Sequence, residues 1–327
     1  MKWGFIGTGR IAERIMKAFE LLPDSQVVAA YSRNHLAMTA FCDRWDIAGR
    51  YDTIEELCHD PEVEIIYLAT PHIVHLEHFE KAVNGGKPVL CEKPMGMSAE
   101  ETRRMADLAR EKGIFLMEGL WTRFFPIYQW LEELIGSGGL GRLYNVMADF
   151  SYHSPYDPGQ RFFRKDLGGG AMRGAGIYPL SLAVSAFGAM PCEVQAMADM
   201  KNDVDLRGAA LLRFPGGGMA QIVTGFQGES AQGANLAFEK GSVWIPDFWH
   251  PAKAVLKTGG QEQVISRPFD FPGFQFEIME VEHCVREGQK ESRKMTLDES
   301  VGLAEILDEI YRRFYIDFGE KGAEKEK

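Results

Sequence analysis

The rhythm of apolar and polar positions changes once along the chain. Up to about residue 120, short β-rich runs alternate with stretches of helical spacing. The runs are Trp3–Ile6, Val27–Tyr31, Ile65–Ala69, Pro88–Cys91 and Phe115–Met117, and the helical stretches lie near 11–21, 36–45, 53–58, 73–85 and 99–112. Strand–helix alternation predicts a parallel sheet covered by helices. Ser98 with Glu101, and later Thr296 with Glu299, read as capping boxes that open helices. After a helical stretch at Phe125–Ile135, strand-like runs dominate: Leu143–Tyr152, Glu193–Met200, Ala209–Phe214, Met219–Phe226, Asn235–Phe238, Ser242–Ile245 and Ala254–Thr258. Turn signals such as Pro215-Gly216-Gly217-Gly218 separate them, which predicts an antiparallel sheet. Helices near 274–287 and 297–315 close the fold, and the charged tail Gly319–Lys327 is expected to fray. The expected architecture is α/β: a helix-covered parallel-sheet domain over 1–120, then an α+β domain over 121–327 with a large, mainly antiparallel open sheet.

Composition narrows the classes of function. At roughly 150 residues per domain, 327 residues suit two domains, and 45% hydrophobic with 25% charged residues excludes a mainly disordered chain. A net charge of −11 argues against non-specific binding to nucleic acid or anionic membranes. Cys42, Cys58, Cys91, Cys192 and Cys284 are odd in number and form no CxxC pair. They read as reduced thiols of a cytoplasmic protein rather than as a disulfide or zinc framework. No leader-like apolar run and no membrane-length apolar run is present.

Candidate chemistry begins at the first strand. Gly7-Thr8-Gly9-Arg10-Ile11-Ala12 is a GxGxxA turn between a strand and a helix. Gly7 permits the tight turn, Gly9 lets a pyrophosphate approach the backbone, and Ala12 allows close helix–strand packing. Free N–H groups and the dipole at the helix start suit phosphate. Ser32-Arg33-Asn34 follows the second strand, where an NAD-preferring site places an acidic residue on the ribose 2′-OH. A hydroxyl and a guanidinium suit a 2′-phosphate, so NADP(H) is expected over NAD(H). The other reading of Arg33 is a solvated charge or an adenine stack.

Glu92-Lys93-Pro94 stands at the carboxyl end of a parallel strand, where the ligand crevice of such a sheet lies. Lys93 is thereby a candidate for polarising a substrate oxygen. Together with the GxGxxA turn, this segment resembles the glucose–fructose oxidoreductase / inositol dehydrogenase / MocA (Gfo/Idh/MocA) family. Met117-Glu118-Gly119-Leu120-Trp121-Thr122-Arg123-Phe124-Phe125-Pro126, and Gly168-Gly169-Gly170-Ala171 through Gly176-Ile177-Tyr178-Pro179, resemble its dimeric dihydrodiol dehydrogenase (NADP–D-xylose dehydrogenase) branch.

The resemblance implies an NADP-dependent dehydrogenase or reductase acting on a cyclic sugar, polyol or trans-dihydrodiol. Tyr178 would be the general acid/base and Lys93 would orient the substrate hydroxyl. A free tyrosine titrates near about 10, and a neighbouring cation lowers such a value by roughly 1–3 units. The resemblance also places Thr70, Pro71, His75 and Glu92 at the cofactor, and Trp121 and Arg123 at the border of cofactor and substrate. Interdomain packing is the plainer reading of Trp121 and Arg123. In one respect the chain departs from the branch: Gly174 occupies the usual Asp position, with Arg173 beside it. An NADP(H)-binding regulatory or sensor protein with weak or lost catalysis is therefore the alternative.

His72, His75 and His78 drift around a helix without a completing Cys or carboxylate, which argues against a metal site. His72 and His78 are expected at the surface. Tyr152, Phe163, Arg164 and Trp249-His250 are weaker substrate-pocket candidates, because aromatic surfaces cover the C–H faces of sugar rings. The open sheet is expected to expose Leu211, Phe214, Ile222, Val223 and Phe226, and a homodimer through that face follows, as the resemblance also implies.

Overall fold

A computed structural model describes residues 1–325, with side chains through residue 316. The expectation for the tail Gly319–Lys327 lies outside the fully described residues. The chain divides into two compact units: Met1–Phe124 with Asp270–Val301, and Phe125–Phe269 with Gly302–Lys327. No helix among the described residues is long and apolar enough to cross a membrane.

The first unit holds six strands: β1 (Lys2–Ile6), β2 (Gln26–Tyr31), β3 (Gly49–Tyr51), β4 (Ile65–Leu68), β5 (Val89–Glu92) and β6 (Leu116–Gly119). Helices α1 (Arg10–Phe19), α2 (His35–Trp45), α3 (Ile54–His59), α4 (His75–Asn84) and α5 (Ala99–Lys112) connect them. All pairings are parallel, in the order β3-β2-β1-β4-β5-β6. This is the doubly wound Rossmann order, whose strand sequence reverses between β1 and β4. β1, β4 and β5 read as continuous apolar runs because helices cover both faces, and every residue of β4 and β5 is buried. Asn34 caps α2, and Thr53 with Glu56 makes a complete capping box on α3. At α5, Ser98 accepts from the Glu101 amide, but the Glu101 carboxylate turns to the Met97 amide, so only half of the expected box forms.

Residues 270–301 return to this unit through α8 (Gln275–Arg286). The Trp3 indole and the Ser25 hydroxyl both donate to Glu282 Oε1, at 2.9 and 2.6 Å. Leu297 and Val301 join the core formed by Ile6, Ile66, Leu68, Phe79, Val89 and Leu116.

The second unit opens with α6 (Pro126–Gly136) and carries eight strands. They are β7 (Leu143–Ser151), β8 (Glu193–Lys201), β9 (Val204–Arg213), β10 (Met219–Gly225), β11 (Ala234–Phe238), β12 (Gly241–Ile245), β13 (Lys253–Thr258) and β14 (Gln261–Ser266). Their order is β14-β13-β12-β11-β7-β10-β9-β8, antiparallel except for β7 against β10. Helix α7 (Ile177–Phe187) packs on β7 and β10, while α9 (Leu297–Lys325) brings Tyr311 and Phe314 to β9.

Sheet alternation corrects the expected composition of the open face. Leu211 and Val223 are exposed, but Phe214, Ile222 and Phe226 point inward and are buried. The exposed apolar set is instead Tyr144, Met147, Met197, Leu211, Val223, Trp244 and Val264.

Candidate active site

In the first unit, the turn after β1 is built for an anion. Gly7 sits at φ +105°, and a Cβ there would lie 2.7 Å from the Ala69 carbonyl oxygen, so only glycine fits. Its amide donates to Tyr31 O at 2.8 Å, fixing the turn against β2. Gly9 is exposed, and a Cβ built there would meet nothing within 4 Å, which leaves room for a ligand backbone-on. No side chain caps the start of α1, so its first amides face outward beside Thr8, Arg10 and Ile11. Ser32 and Arg33 follow β2, Ser32 half-buried and Arg33 exposed. Asn34 is occupied as the α2 cap through the Ala37 amide, leaving the serine and arginine as the polar groups at that strand end.

The loops after β4 and β5 are bolted together by His75. Its Nε2 lies 2.8 Å from Thr70 O, and its Nδ1 lies 3.2 Å from both Pro94 O and Met95 O. The ring is fully buried, and burial lowers its pKa to about 4 against the pull of those carbonyls. His75 thus shapes the Thr70-Pro71 loop from behind. His78 Nδ1 reaches Thr70 Oγ1 at 3.1 Å. His72 and His78 are buried at 5% and 4% exposure, which corrects their expected place at the surface. His72 precedes α4 and meets the His75 ring edge-on at 5.6 Å, while His78 lies on α4.

Lys93 is half-buried at the end of β5. Its amide donates to Glu92 Oε2 at 3.2 Å, and the Tyr67 hydroxyl on β4 donates to Glu92 Oε1 at 2.6 Å. From β6, Glu118 Oε1 accepts the Met95 amide at 2.9 Å. Two carboxyl groups on adjacent strands thereby clamp the Lys93-Pro94-Met95 backbone. Glu118 titrates at about 7, raised chiefly by burial. Glu277 on α8 is fully buried close by, and burial followed by the Glu92 charge holds its carboxyl well above the usual range. Glu118 could have been suspected from its place at the end of β6. Glu277 had no local signal, since it arrives from the returning segment. Trp121 stacks on Phe274 at 4.2 Å, and the buried Arg123 guanidinium pairs with Glu299 and donates to Lys294 O. The Thr296 hydroxyl caps α9 at the Glu299 amide, while the Glu299 carboxylate goes to Arg123 instead of closing a box.

In the second unit, Tyr178 is the second residue of α7. Around Phe150 on β7 gather Tyr178 at 5.6 Å, Tyr152 at 6.0 Å and Trp249 at 5.2 Å, the last stacked nearly parallel. Trp249 Nε1 donates to Gln232 Oε1 at 2.8 Å, which fixes that ring. Burial raises the Tyr152 phenol to about 12, so it stays neutral. Phe150 and Gln232 were not singled out by the sequence, although the alternation of β7 turns Phe150 inward. Phe163 packs into an adjoining cluster with Phe226, Ala171 and Leu206, which Tyr152 joins to the Phe150 group through Phe226 at 5.4 Å. Arg164 is exposed and paired with Asp166.

A π-helical turn, Met172–Gly176, leads into α7 and sets the direction in which Tyr178 leaves the backbone. Asp205 on β9 holds it. Its carboxylate accepts the Met172 amide at 2.6 Å and the Tyr311 hydroxyl at 2.9 Å, and Gly170 at φ +128° leaves the space it fills. Burial raises Asp205 to about 6. A Cβ on Gly174 would meet only Phe226, at 3.7 Å. The carboxylate in this neighbourhood therefore comes from β9 and supports the turn.

Comparison with known proteins agrees with both halves of this description. Residues 1–120 match the model of an oxidoreductase family with an NAD-binding Rossmann fold, and residues 128–244 match the GFO/IDH/MocA C-terminal domain. Trans-1,2-dihydrobenzene-1,2-diol dehydrogenase of Mus musculus is 33% identical over 97% of this chain and 98% of its own length. The Homo sapiens protein of the same name is 32% identical with the same coverage. An aldose-aldose oxidoreductase from Caulobacter crescentus, solved with glycerol, superposes with TM-score 0.88 at 25% identity, covering 96% of this chain and 97% of that one. A 3-ketoreductase from Actinomadura kijaniata, solved with NADP and TDP-benzene, shares the fold at TM-score 0.85 and 24% identity, covering 96% of this chain and 98% of that one. With a glycine cradle at the switch point, a lysine on the strand edge and kinship along nearly its whole length, this chain is an oxidoreductase and belongs to the Gfo/Idh/MocA family.

Proposed function

We propose that this oxidoreductase is NADP-dependent and moves a hydride between the nicotinamide and a hydroxyl-bearing carbon of a cyclic sugar, polyol or trans-dihydrodiol. The carrying observation is Lys93, half-buried on the strand edge that also bears the Gly7–Gly9 cradle, its backbone held by Glu92 and Glu118. Bound there, the coenzyme supplies a hydride acceptor or donor. Gly7, Thr8, Gly9, Arg10 and Ile11 would hold its pyrophosphate, and Ser32 with Arg33 its 2′-phosphate. Thr70 and Pro71, braced by His75, and the Glu92-Lys93 turn would flank its nicotinamide half, with Trp121 and Arg123 at the border.

Lys93 donates a charge-assisted hydrogen bond to the substrate oxygen, and Tyr178 exchanges the hydroxyl proton. The rings of Phe150, Tyr152 and Trp249 offer an apolar surface suited to the C–H faces of a cyclic substrate. The names of the dihydrodiol and aldose relatives support the substrate class. Turnover of NADP+ with a panel of aldoses, inositols and trans-dihydrodiols tests the reading. Turnover with one class, abolished in Lys93→Ala, is expected. NADPH binding without turnover on any of them overturns it. That outcome favours a sensor with lost catalysis, to which Gly174 at the branch's Asp position points.

The open face of the second unit supports a homodimer. One exposed or half-exposed row crosses all eight strands: Gln195, Leu211, Gln221, Met147, Asn235, Trp244, Val255 and Val264. Five of the eight are apolar and the other three are uncharged amides, and monomeric proteins rarely expose large apolar patches. All five cysteines are free thiols, four of them buried, which supports a reducing, cytoplasmic setting.

A further inference from the structure

Glu277 is fully buried, and neither of its carboxyl oxygens has a hydrogen-bond partner. It reaches from α8 to the carboxyl edge of the parallel sheet. A Cβ on Gly119 of β6 would lie 3.6 Å from Glu277 Oε2 and 3.6 Å from the Cα of Glu92. The two carboxyl-bearing residues thus flank one glycine, and Gly119 leaves the space that lets them approach.

Their surroundings differ. Glu92 receives two donors, the Tyr67 hydroxyl and the Lys93 amide, whereas Glu277 receives none. Two carboxyl groups sharing an enclosed site cannot both ionise, and hydrogen bonds to the charged form decide which one does. The charge therefore belongs to Glu92 and the proton to Glu277.

We propose that Glu277 is a positioning residue of the Lys93 site: a carboxylic acid that stays neutral, so that it adds no second negative charge next to Glu92 behind the lysine. The inference rests on the catalytic reading of Lys93. The titratable groups that face Glu277 are Glu92 on β5 and Tyr67 on β4, with Cys91 the next group beside Tyr67. Glu118 on β6 has Glu299 and Lys93 as its charged neighbours instead. Burial and the Glu92 charge both push Glu277 toward its neutral form, in the direction the geometry requires.

The experiment uses Glu277→Gln, a permanently neutral side chain of the same shape, and Glu277→Met, an apolar one of similar length. Two readouts are independent of turnover. Infrared difference spectra at neutral pH report protonated carboxyl groups, with Glu118→Gln and Asp205→Asn as the controls for the two other buried acids whose values are raised. Acetylation of Lys93 by acetic anhydride across pH, read by mass spectrometry, reports the titration of the lysine. The wild type should show a protonated-carboxyl band that Glu277→Gln lacks. Lys93 in Glu277→Gln should keep the wild-type reactivity profile, because one neutral side chain replaces another. An unchanged band, a Lys93 profile that moves to lower pH in Glu277→Gln, or failure of both variants to fold overturns the proposal, since Glu277 is then an anion or a neutral group is not what the site needs. Loss of turnover in Lys93→Ala is not required by either readout, so failure here and failure of the catalytic reading are told apart.

Discussion

Glu118→Gln isolates what burying an acid beside Lys93 costs the fold. The folded chain holds this carboxyl at about 7 against an ordinary 4.5. Burial is the largest cause and the Glu299 charge adds to it, while the Ser300 hydroxyl, the Met95 amide and the Lys93 ammonium pull the other way. Between those two pH values the folded state keeps a proton that the unfolded state has released. Stability therefore falls as pH rises through that window, and the loss is complete above the folded pKa. At 1.36 kcal/mol per unit, the shift corresponds to about 3 kcal/mol.

Glutamine keeps an oxygen for the Met95 amide but cannot ionise, so the variant escapes the loss. For a unit of this size, 1 kcal/mol moves Tm by about 2–4 °C. The difference in Tm, variant minus wild type, should grow by roughly 6–12 °C from about pH 5 to about pH 8. Calorimetric scans of both proteins across that range measure it, and every other titrating group cancels in the difference. A difference that stays flat, or shrinks toward alkaline pH, refutes the assignment of a neutral buried acid.

Gly7→Ala puts a Cβ 2.7 Å from the Ala69 carbonyl at φ +105°. NADPH affinity should fall at least about 100-fold with some loss of Tm, measured by fluorescence titration and thermal melting. Arg33→Glu replaces the exposed cation after β2 by an anion, and NADPH affinity should drop about 10–100-fold while NADH binding changes far less. Leu211→Asp together with Trp244→Asp places charges in the open row and should yield a monomer in sedimentation experiments with the native far-ultraviolet dichroism. A dimer that survives both charges removes that face from the interface.

What could be read from the sequence was what is written locally. The GxGxxA turn works through residues that adjoin in the chain, and β1, β4 and β5 are apolar runs that signal a sheet covered on both faces. Lys93 stood out because its strand end is set by the chain around it. Other features depend on packing. Helix α7 is apolar on nearly every side, so it carries no helical stripe to find. β14 is a polar edge strand with only Ile265 buried, and β3 has three residues. The burial of His72 and His78 depends on how residues 72–84 pack in the folded chain, which spacing alone does not fix. Glu277 and Asp205 are the clearest cases. Each supports a segment remote in sequence, Glu277 the β5 edge and Asp205 the π turn before Tyr178, and neither lies in a motif.

The central claim is that Tyr178 carries the proton of a hydride transfer that Lys93 orients. Its most direct measurement is the single-turnover rate of nicotinamide reduction, followed by absorbance, in Tyr178→Phe against wild type with the substrate found in the panel. Removing only the hydroxyl should slow that step by about 10²–10⁴ and leave NADPH affinity unchanged. A Tyr178→Phe enzyme that transfers hydride at the wild-type rate would contradict the account.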